Sequence, residues 1–554
     1  MPNRVAIFLV CLVVLLVGST ATAQADTTTQ LPFASSGGAW LAVDPSGGHV
    51  FVSGGAGTSS IVVLNYAGQI VKTITGQGGA SQMAVDTATH TLFVALHDQS
   101  AISEIDTQTL TETKRFPTAP YSEPTDLVVA GNKVWFGCFG NSGQGCIASD
   151  NLGYIISANM DGTGITDPGT ISGWPFATVL TSGGPSDNLI AIADTYQEPP
   201  NVAVYDVSGG TPTLVSQIHD PDGGTGFVDD MAFDPSGANL LLAAGAPYYV
   251  ESLSTSNLLS SGEYPTGPYP ISVAITADGN FVAGDIDTNT GPDLFVYPVG
   301  NTTPVRTWQV GNDNLSGIDH GLAFSPDAKE LFAVTADEAT SHLAFHVLTQ
   351  PTVALTATST SLTRVTPSKG TVKYGSQASL KVQVTGAASG TVDLYATPNG
   401  GTKTLLTTGT LSSGSVTFNV KPSQDMTYSA VLEQGTTYLS STSADVPVDV
   451  APLMSVATRN RGTIKVHGIR VSKILLSAKV NPARPNEPVV FAVQRRAHGH
   501  WRADVSGAVA DGSNGTAHVY FVTDRHATFR VDVQFSGDSY YATSKSAWKN
   551  FRVR

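Results

Sequence analysis

The segment Met231-Ala-Phe-Asp234-Pro-Ser-Gly-Ala-Asn-Leu240-Leu-Leu-Ala243 reads as a short apolar run, a turn and a second apolar run. Asp-Pro-Ser-Gly is turn chemistry. Each run is too short for a helix and too apolar for a half-exposed strand, so both read as strands covered on two faces. The pattern recurs at Leu41-Ala-Val-Asp44, Met83-Ala-Val-Asp86, Leu127-Val-Val-Ala130, Ile190-Ala-Ile-Ala193, Val273-Ala-Ile-Thr276 and Leu322-Ala-Phe-Ser325. The seven copies are spaced by 42, 44, 63, 41, 42 and 49 residues. A period near 42 residues is propeller spacing, with about four strands per repeat.

Second strands follow the turns, as at His49-Val-Phe-Val52 and Leu331-Phe-Ala-Val334, and third strands follow those, as at Ile61-Val-Val-Leu64 and Leu294-Phe-Val-Tyr297. The seventh unit stops near Leu348 with three strands, while Thr28 to Phe33 is a spare strand before the first copy. Pairing that strand beside His342 to Val347 closes a ring and removes its open edges. The sequence therefore predicts an all-β chain with a seven-bladed β-propeller over residues 26–350. The irregular fourth unit leaves six blades and a decorated loop as the alternative.

Composition agrees. The 554 residues are 41% apolar and 13% charged, with 56 Gly and 31 Pro. That excludes a disordered polyampholyte, a long helical protein and, without a three-residue glycine period, a collagen. Residues 1–25 carry Arg4, an apolar run from Val5 to Val17 and Ala23-Gln24-Ala25, the pattern of a signal peptide cleaved before Asp26. No later run has spanning length. The chain is expected to be secreted or cell-surface associated. Cys138 and Cys146, eight residues apart across a glycine-rich turn, predict a disulfide. Two free thiols or a metal pair are the other readings.

The strand–turn–strand repeat resembles the bacterial propellers of the YVTN and lactonase-like groups, although Leu92-Phe-Val-Ala95 and Leu331-Phe-Ala-Val334 stand where the eponymous tetrapeptide would be. By that resemblance, acidic residues and histidines at the channel mouth hold a divalent metal or act as acid and base. His320 is then the candidate general base, and Asp229 a metal ligand or orienting group. Asp126, Asp187 and Asp230 are nearby ligand-binding candidates. The blander reading is a polar rim around a wet channel. Asp285, Asp287, Asn289 and Asp293 place oxygen atoms at alternating positions and resemble the first half of an EF-type calcium loop. The glycine is one place late and the closing glutamate is missing, so an Asp/Asn-rich turn is the alternative. Calcium is the cofactor this suggests.

From Pro351 the composition turns to Thr, Ser, Val, Gly and Lys in alternating strands, with a second such stretch from residue 451. About 100 residues with some seven short strands fits a sandwich. Val533-Gln-Phe-Ser-Gly-Asp-Ser-Tyr-Tyr541 resembles the final hairpin of bacterial Ig-like repeats. Two immunoglobulin-like β-sandwiches, 351–450 and 451–554, are expected as spacers. Charge divides the chain. Residues 26–350 hold 6 Lys+Arg against 33 Asp+Glu, and residues 451–554 hold 16 against 6. An acidic, exported head excludes nucleic acid as the natural partner. The basic end suggests an anionic cell-envelope polymer. No HExxH, GxSxG, Walker or dinucleotide loop occurs in a supporting context. A binding head on spacers is the first functional reading; a lactonase-like hydrolase or lyase acting on a sugar or lactone, and a structural envelope component, are the others.

Overall fold

The computed structural model describes residues 27–35, 38–138, 152–169, 171–175, 178–194, 199–221, 225–287, 292–310, 315–337, 339–435 and 437–554. The chain divides into two compact units, Met1–Leu355 and Thr356–Arg554. Every described strand belongs to an all-β architecture, broken only by the 3-10 turns His97–Gln99 and Pro185–Asp187.

The first unit is propeller-like, with seven four-stranded antiparallel sheets among the described residues. The first is Trp40–Asp44, His49–Ser53, Ser60–Asn65 and Ile70–Thr75, in that spatial order. Lead strands of the next five are Ala80–Asp86, Pro124–Ala130, Thr178–Gly183, Val228–Phe233 and Pro270–Ile275. Leu315–Phe324 leads the seventh. Each lead strand touches the next, and the seventh touches the first. The second and third strands are buried almost throughout, which is why they read as unbroken apolar runs. Outer strands such as Ile70–Thr75 and Thr213–His219 face water and alternate.

Turns between first and second strands are tied by carboxylates. Asp44 is fully buried and accepts hydrogen bonds from Ser46 N, Ser46 Oγ and Gly47 N at 2.7–2.9 Å. Asp234 accepts from Ser236 Oγ, Ala238 N and Asn239 Nδ2. Apolar clusters lie between successive sheets; Val50, Val62 and Leu64 of the first, for example, pack on Phe332, Leu343 and Phe345 of the seventh.

The seventh sheet takes its fourth strand from the start of the chain. Thr27–Ala34 pairs antiparallel with His342–Thr349, Thr27 opposite Val347 and Ala34 opposite His342. Leu31 is buried in the cluster between the seventh and first sheets. Thr28 Oγ1 lies 3.1 Å from His346 Nδ1, and Thr335 Oγ1 lies 2.8 Å from its Nε2. Burial holds that imidazole down at about 4, so it stays neutral near neutral pH.

The fourth sheet corrects the repeat alignment. Ile190 to Ala193 lies in its second strand, Leu189–Asp194, and Thr178–Gly183 leads. The expected disulfide is withdrawn: none is present among the described residues. Cys138 ends a strand opposite Tyr154, and Cys146 lies outside the described residues. Residues 1–26, with the expected signal, also lie outside them.

The second unit holds two pairs of packed sheets. In one, Ser359–Thr366, Ala378–Thr385 and Ser415–Val420 face a sheet built on Gly390–Pro398 and Met426–Leu432 across Leu380, Val382, Leu394, Phe418 and Tyr428. In the other, Leu453–Val466, Ile469–Asn481 and Thr516–Thr523 face a sheet built on Pro488–Ala497 and Thr528–Phe535 across Leu476, Phe491, Phe529 and Val531. A small core of Val450, Phe535 and Tyr541 joins the pairs, and Tyr541 Oη donates to Ser423 O at 2.8 Å.

Leu31→Ala removes a buried side chain from the seam between the last sheet and the first. It is expected to cost about 2–4 kcal/mol, measured by denaturant unfolding of the full chain. A loss below about 0.5 kcal/mol, the range of an exposed surface change, would show that the added strand does not support the unit.

Candidate functional site

Lead strands of five sheets share an irregularity. The register with the second strand slips between Ala80 and Met83, Pro124 and Leu127, Val228 and Asp230, Pro270 and Ser272, and Gly317 and Leu322. Four of the slips take in polar residues that open the strand, and the one in the sixth sheet falls at Ile271. A bulge breaks the period-two alternation and re-aims side chains. Consecutive residues that a regular strand would send to opposite faces therefore enter one place, as Asp229 with Asp230 and Asp319 with His320 do. His320 itself has φ of 57°, a left-handed conformation uncommon for a residue with a Cβ.

These openings are cross-linked. Ser53 Oγ donates to Ser81 O at 2.6 Å, and Ser81 Oγ to Thr125 O at 2.7 Å. Gln82 accepts from Leu127 N and donates to Leu180 O, joining the second, third and fourth sheets. Between the fourth and fifth the backbones come close: a Cβ on Gly183 would lie 2.5 Å from Phe233 Cβ, so no larger residue fits there. Asp230 accepts from Val273 N at 3.0 Å and Ser272 Oγ at 3.2 Å in the sixth sheet, and Ser272 Oγ accepts from Leu322 N in the seventh.

At the centre of this girdle, His320 Nδ1 lies 2.8 Å from Asp230 Oδ1, both side chains mostly buried. The Trp40 indole stacks on the imidazole, centroids 5.8 Å apart and planes 17° apart. Trp40 Nε1 is buried and has no hydrogen-bond partner among the described residues. Burial alone would push the His320 pKa down. The charges of Asp230, Asp319 and Asp126, with the Asp230 hydrogen bond, raise it instead to about 9. Asp126 is raised by burial to about 7, against the pull of His320. Asp229 is raised to about 8 by burial and then by the Asp319 charge. Asp319 is raised by burial. Near neutral pH the His320 imidazole is charged and Asp229 keeps its proton.

Asp126, Asp229, Asp230 and His320 thus meet in one cluster, joined by Asp319 and Trp40, which sequence reasoning missed. Trp40 reads as core, and Asp319 reads as the outward neighbour of His320. Asp187 lies elsewhere. It sits in the turn Pro185–Asp187 after the fourth lead strand, where burial and the Asp86 charge raise its pKa. With Asp86, Gln82, Thr181 and Ser182 it lines a polar cavity of about 310 Å³ beside three lead strands. The suggested calcium set divides. Asp285 and Asp293 are fully buried, Asp287 is exposed and acts on Asp229 and Asp319, and Asn289 lies outside the described residues. Among the described residues no three His, Cys, Asp or Glu side chains converge as a metal site.

No family model matches the chain, and no curated protein matches it. Solved structures resemble the first unit distantly. Kuenenia stuttgartiensis hydrazine synthase is 14% identical with a TM-score of 0.44, covering 58% of this chain and 98% of that one. The β-propeller domain of Myceliophteria thermophila Cps50 (Swd1) is 10% identical with a TM-score of 0.42, covering 58% and 99%. A functionally unknown protein from Desulfotomaculum acetoxidans is 12% identical with a TM-score of 0.40, covering 56% and 95%. Resemblance of this degree carries nothing about activity or ligands.

The cluster makes stability pH-dependent with one sign. His320 has a folded pKa above its unfolded value, so its contribution is complete below about 6.5 and is lost as pH rises through about 9. Asp126 and Asp229, raised to about 7 and about 8, keep protons that the unfolded chain has released, so they lower stability over the same rise. The melting temperature of the full chain is expected to fall between pH 6.5 and 9. Asp230→Asn, which leaves the buried imidazolium without its anion, is expected to cost about 3 kcal/mol at pH 6.5 and to flatten that fall. A wild-type melting temperature that holds or climbs over this range would contradict the assignment.

Proposed function

We propose that the seven sheets are the blades of a closed propeller and that its channel mouth is a recognition site for a polyhydroxyl ligand of the carbohydrate class. The observation that carries this reading is the His320 cluster, where bulged strand openings bring an imidazolium, four carboxyl groups and an indole together. Asp229, which keeps its proton near neutral pH, offers an O–H donor, the carboxyl oxygens of Asp230 and Asp319 offer acceptors, and the Trp40 indole lies stacked beside them. Alternating donors and acceptors beside an aromatic ring suit hydroxyl groups, which both give and take hydrogen bonds.

A lactonase-like hydrolase or lyase at the same mouth is less well supported. With Nδ1 against Asp230 and the ring protonated to about pH 9, His320 has no lone pair to act as a base near neutrality. On this proposal the chain is exported, the second unit supplies two Ig-like sandwiches as spacers, and its basic half, 451–554, attaches reversibly to an anionic envelope polymer. The long strand Leu453–Val466 supports attachment, because it is exposed over its second half and carries Arg459, Arg461 and Lys465. No helix among the described residues is long and apolar enough to cross a membrane.

Two measurements test these readings. Calorimetric titration of the full chain with soluble cell-wall oligosaccharides should show binding that Asp229→Asn weakens tenfold or more; equal affinity in the variant removes the mouth from the site. Retention of the full chain on purified anionic envelope polymer should fall steeply between low and physiological salt, where the screening length shortens to about 8 Å. Retention indifferent to salt rules out the electrostatic attachment.

A further inference from the structure

Leu453–Val466 and Ile469–Asn481 form a long antiparallel ribbon that turns at His467 and Gly468, both with the positive φ a two-residue hairpin turn needs. The third strand of that sheet, Thr516–Thr523, starts opposite Lys479 and ends with Thr523 opposite Ser472. From Thr463 and Ser472 outward the ribbon therefore runs on as a two-stranded arm. Opposed residues of an antiparallel pair share a face, and successive pairs alternate. Ile464 opposite Val471 and Val466 opposite Ile469 make one face of the arm aliphatic; Lys465 opposite Arg470 makes the other basic.

Ile474 and Leu476 point into the core of the sandwich. Alternation along their strand turns Ile469, Val471, Lys473 and Leu475 away from it. The aliphatic face of the arm thus continues onto the outer face of the sheet, where Val522 stands opposite Lys473 and Tyr520 opposite Leu475. Ile469 is 60% exposed, Tyr520 50%, and Val466 and Val522 40% each. The Lys473 ammonium sits over the Tyr520 ring, 3.9 Å from its centroid. Scattered exposed apolar residues are ordinary, but a contiguous face of them marks an interaction surface.

Charge selects the occupant. From Leu453 to Asn486 the chain has seven Lys and Arg and no Asp or Glu. A second copy docked by this face would set those cations against their own kind. A soluble polyanion would pair with the cations and leave the aliphatic arm in water. A bilayer with anionic headgroups satisfies both, because apolar side chains enter the acyl boundary while long basic side chains reach back to the phosphates. The order along the sheet fits that use: an aliphatic tip, then Tyr520 and Lys473, residue types that settle at headgroup level.

We propose that the outer face of this sheet, led by the 463–472 arm, docks on an anionic lipid bilayer with the arm's aliphatic side chains in the interface. This does not rest on attachment to an envelope polymer, which uses the cations alone.

The test is co-sedimentation of the full chain with vesicles of equal parts phosphatidylcholine and phosphatidylglycerol. The wild type is expected to bind these and not vesicles of phosphatidylcholine alone. Ile469→Ser, at an exposed position, should lower the vesicle affinity about fivefold or more. It should leave the melting temperature and the retention on envelope polymer unchanged. In Ile469→Trp the added indole emission should be quenched by bromine-labelled acyl chains, a reading that stands even where the serine variant folds poorly. Failure of the wild type to bind the anionic vesicles overturns the proposal, whatever the polymer result. Equal vesicle affinity in Ile469→Ser shows adsorption by charge alone and overturns it too, as does an absence of quenching in Ile469→Trp. Self-association without lipid that Ile469→Ser abolishes assigns the face to a second copy and overturns it as well.

Discussion

The carboxylate of Asp230 holds three sheets in register. Oδ1 takes hydrogen bonds from Met231 N in its own strand and from His320 of the seventh sheet; Oδ2 takes them from Ser272 Oγ and Val273 N of the sixth. The charge and the hydrogen bond of Asp230 raise the His320 pKa against the opposing cost of burial. The charge on His320 in turn draws Asp126, Asp229 and Asp319 into one electrostatic system. Trp40 closes the set by stacking on the imidazole, which carries the coupling across to the first sheet. Without Asp230 the polar girdle would have a gap where the fifth, sixth and seventh sheets are joined.

Among the acidic residues of the first unit whose pKa is shifted, the sign of the shift marks two groups. Asp44, Asp106, Asp234, Asp278, Asp327 and Asp337 are lowered, with hydrogen bonds from the residues that follow them in their turns. Those carboxylates are part of the scaffold. Glu104, Asp126, Asp187, Asp194, Asp229, Asp285 and Asp319 are raised, with burial as the leading cause. Groups of the second kind are held in an unfavourable state by the surrounding fold, which is where binding sites are sought. The acidic composition of the unit is thus two features superimposed: repeated turn chemistry, and a small number of strained carboxyl groups.

Repeat architecture was legible because it is written locally. Apolar runs buried on both faces and Asp-Pro-Ser-Gly turns need no knowledge of distant residues. The fourth sheet was misread because its lead strand, Thr178–Gly183, has only Val179 and Leu180 as large apolar residues, whereas the second strand carries Leu189, Ile190 and Ile192. That error also drew Asp187 toward the mouth when it belongs to a turn at the other end of its strand. The cluster was half legible. Asp229 and His320 stood out as polar residues opening apolar strands. A constant pleat, however, sends Asp230 and Asp319 away from them, and nothing in a single sequence marks where a bulge reverses that phase. Asp285 was seen as part of a spaced loop, when strand pairing places it in the interior.

The hydrogen-bonded contact between Thr28 and His346 spans 318 residues. Loop-closure entropy for such a contact is met only after the intervening chain is ordered. As the ribosome delivers the chain, Thr27–Ala34 emerges first and must remain without its partner strand until His342–Thr349 has followed. The seventh sheet therefore joins strands from opposite ends of the described part of its unit, and it is complete only once His342–Thr349 has been made. Until the two strands pair, the edge of His342–Thr349 and the segment that will cover it are both sticky. Any factor that delays synthesis between those two moments prolongs the interval in which two copies could exchange that strand.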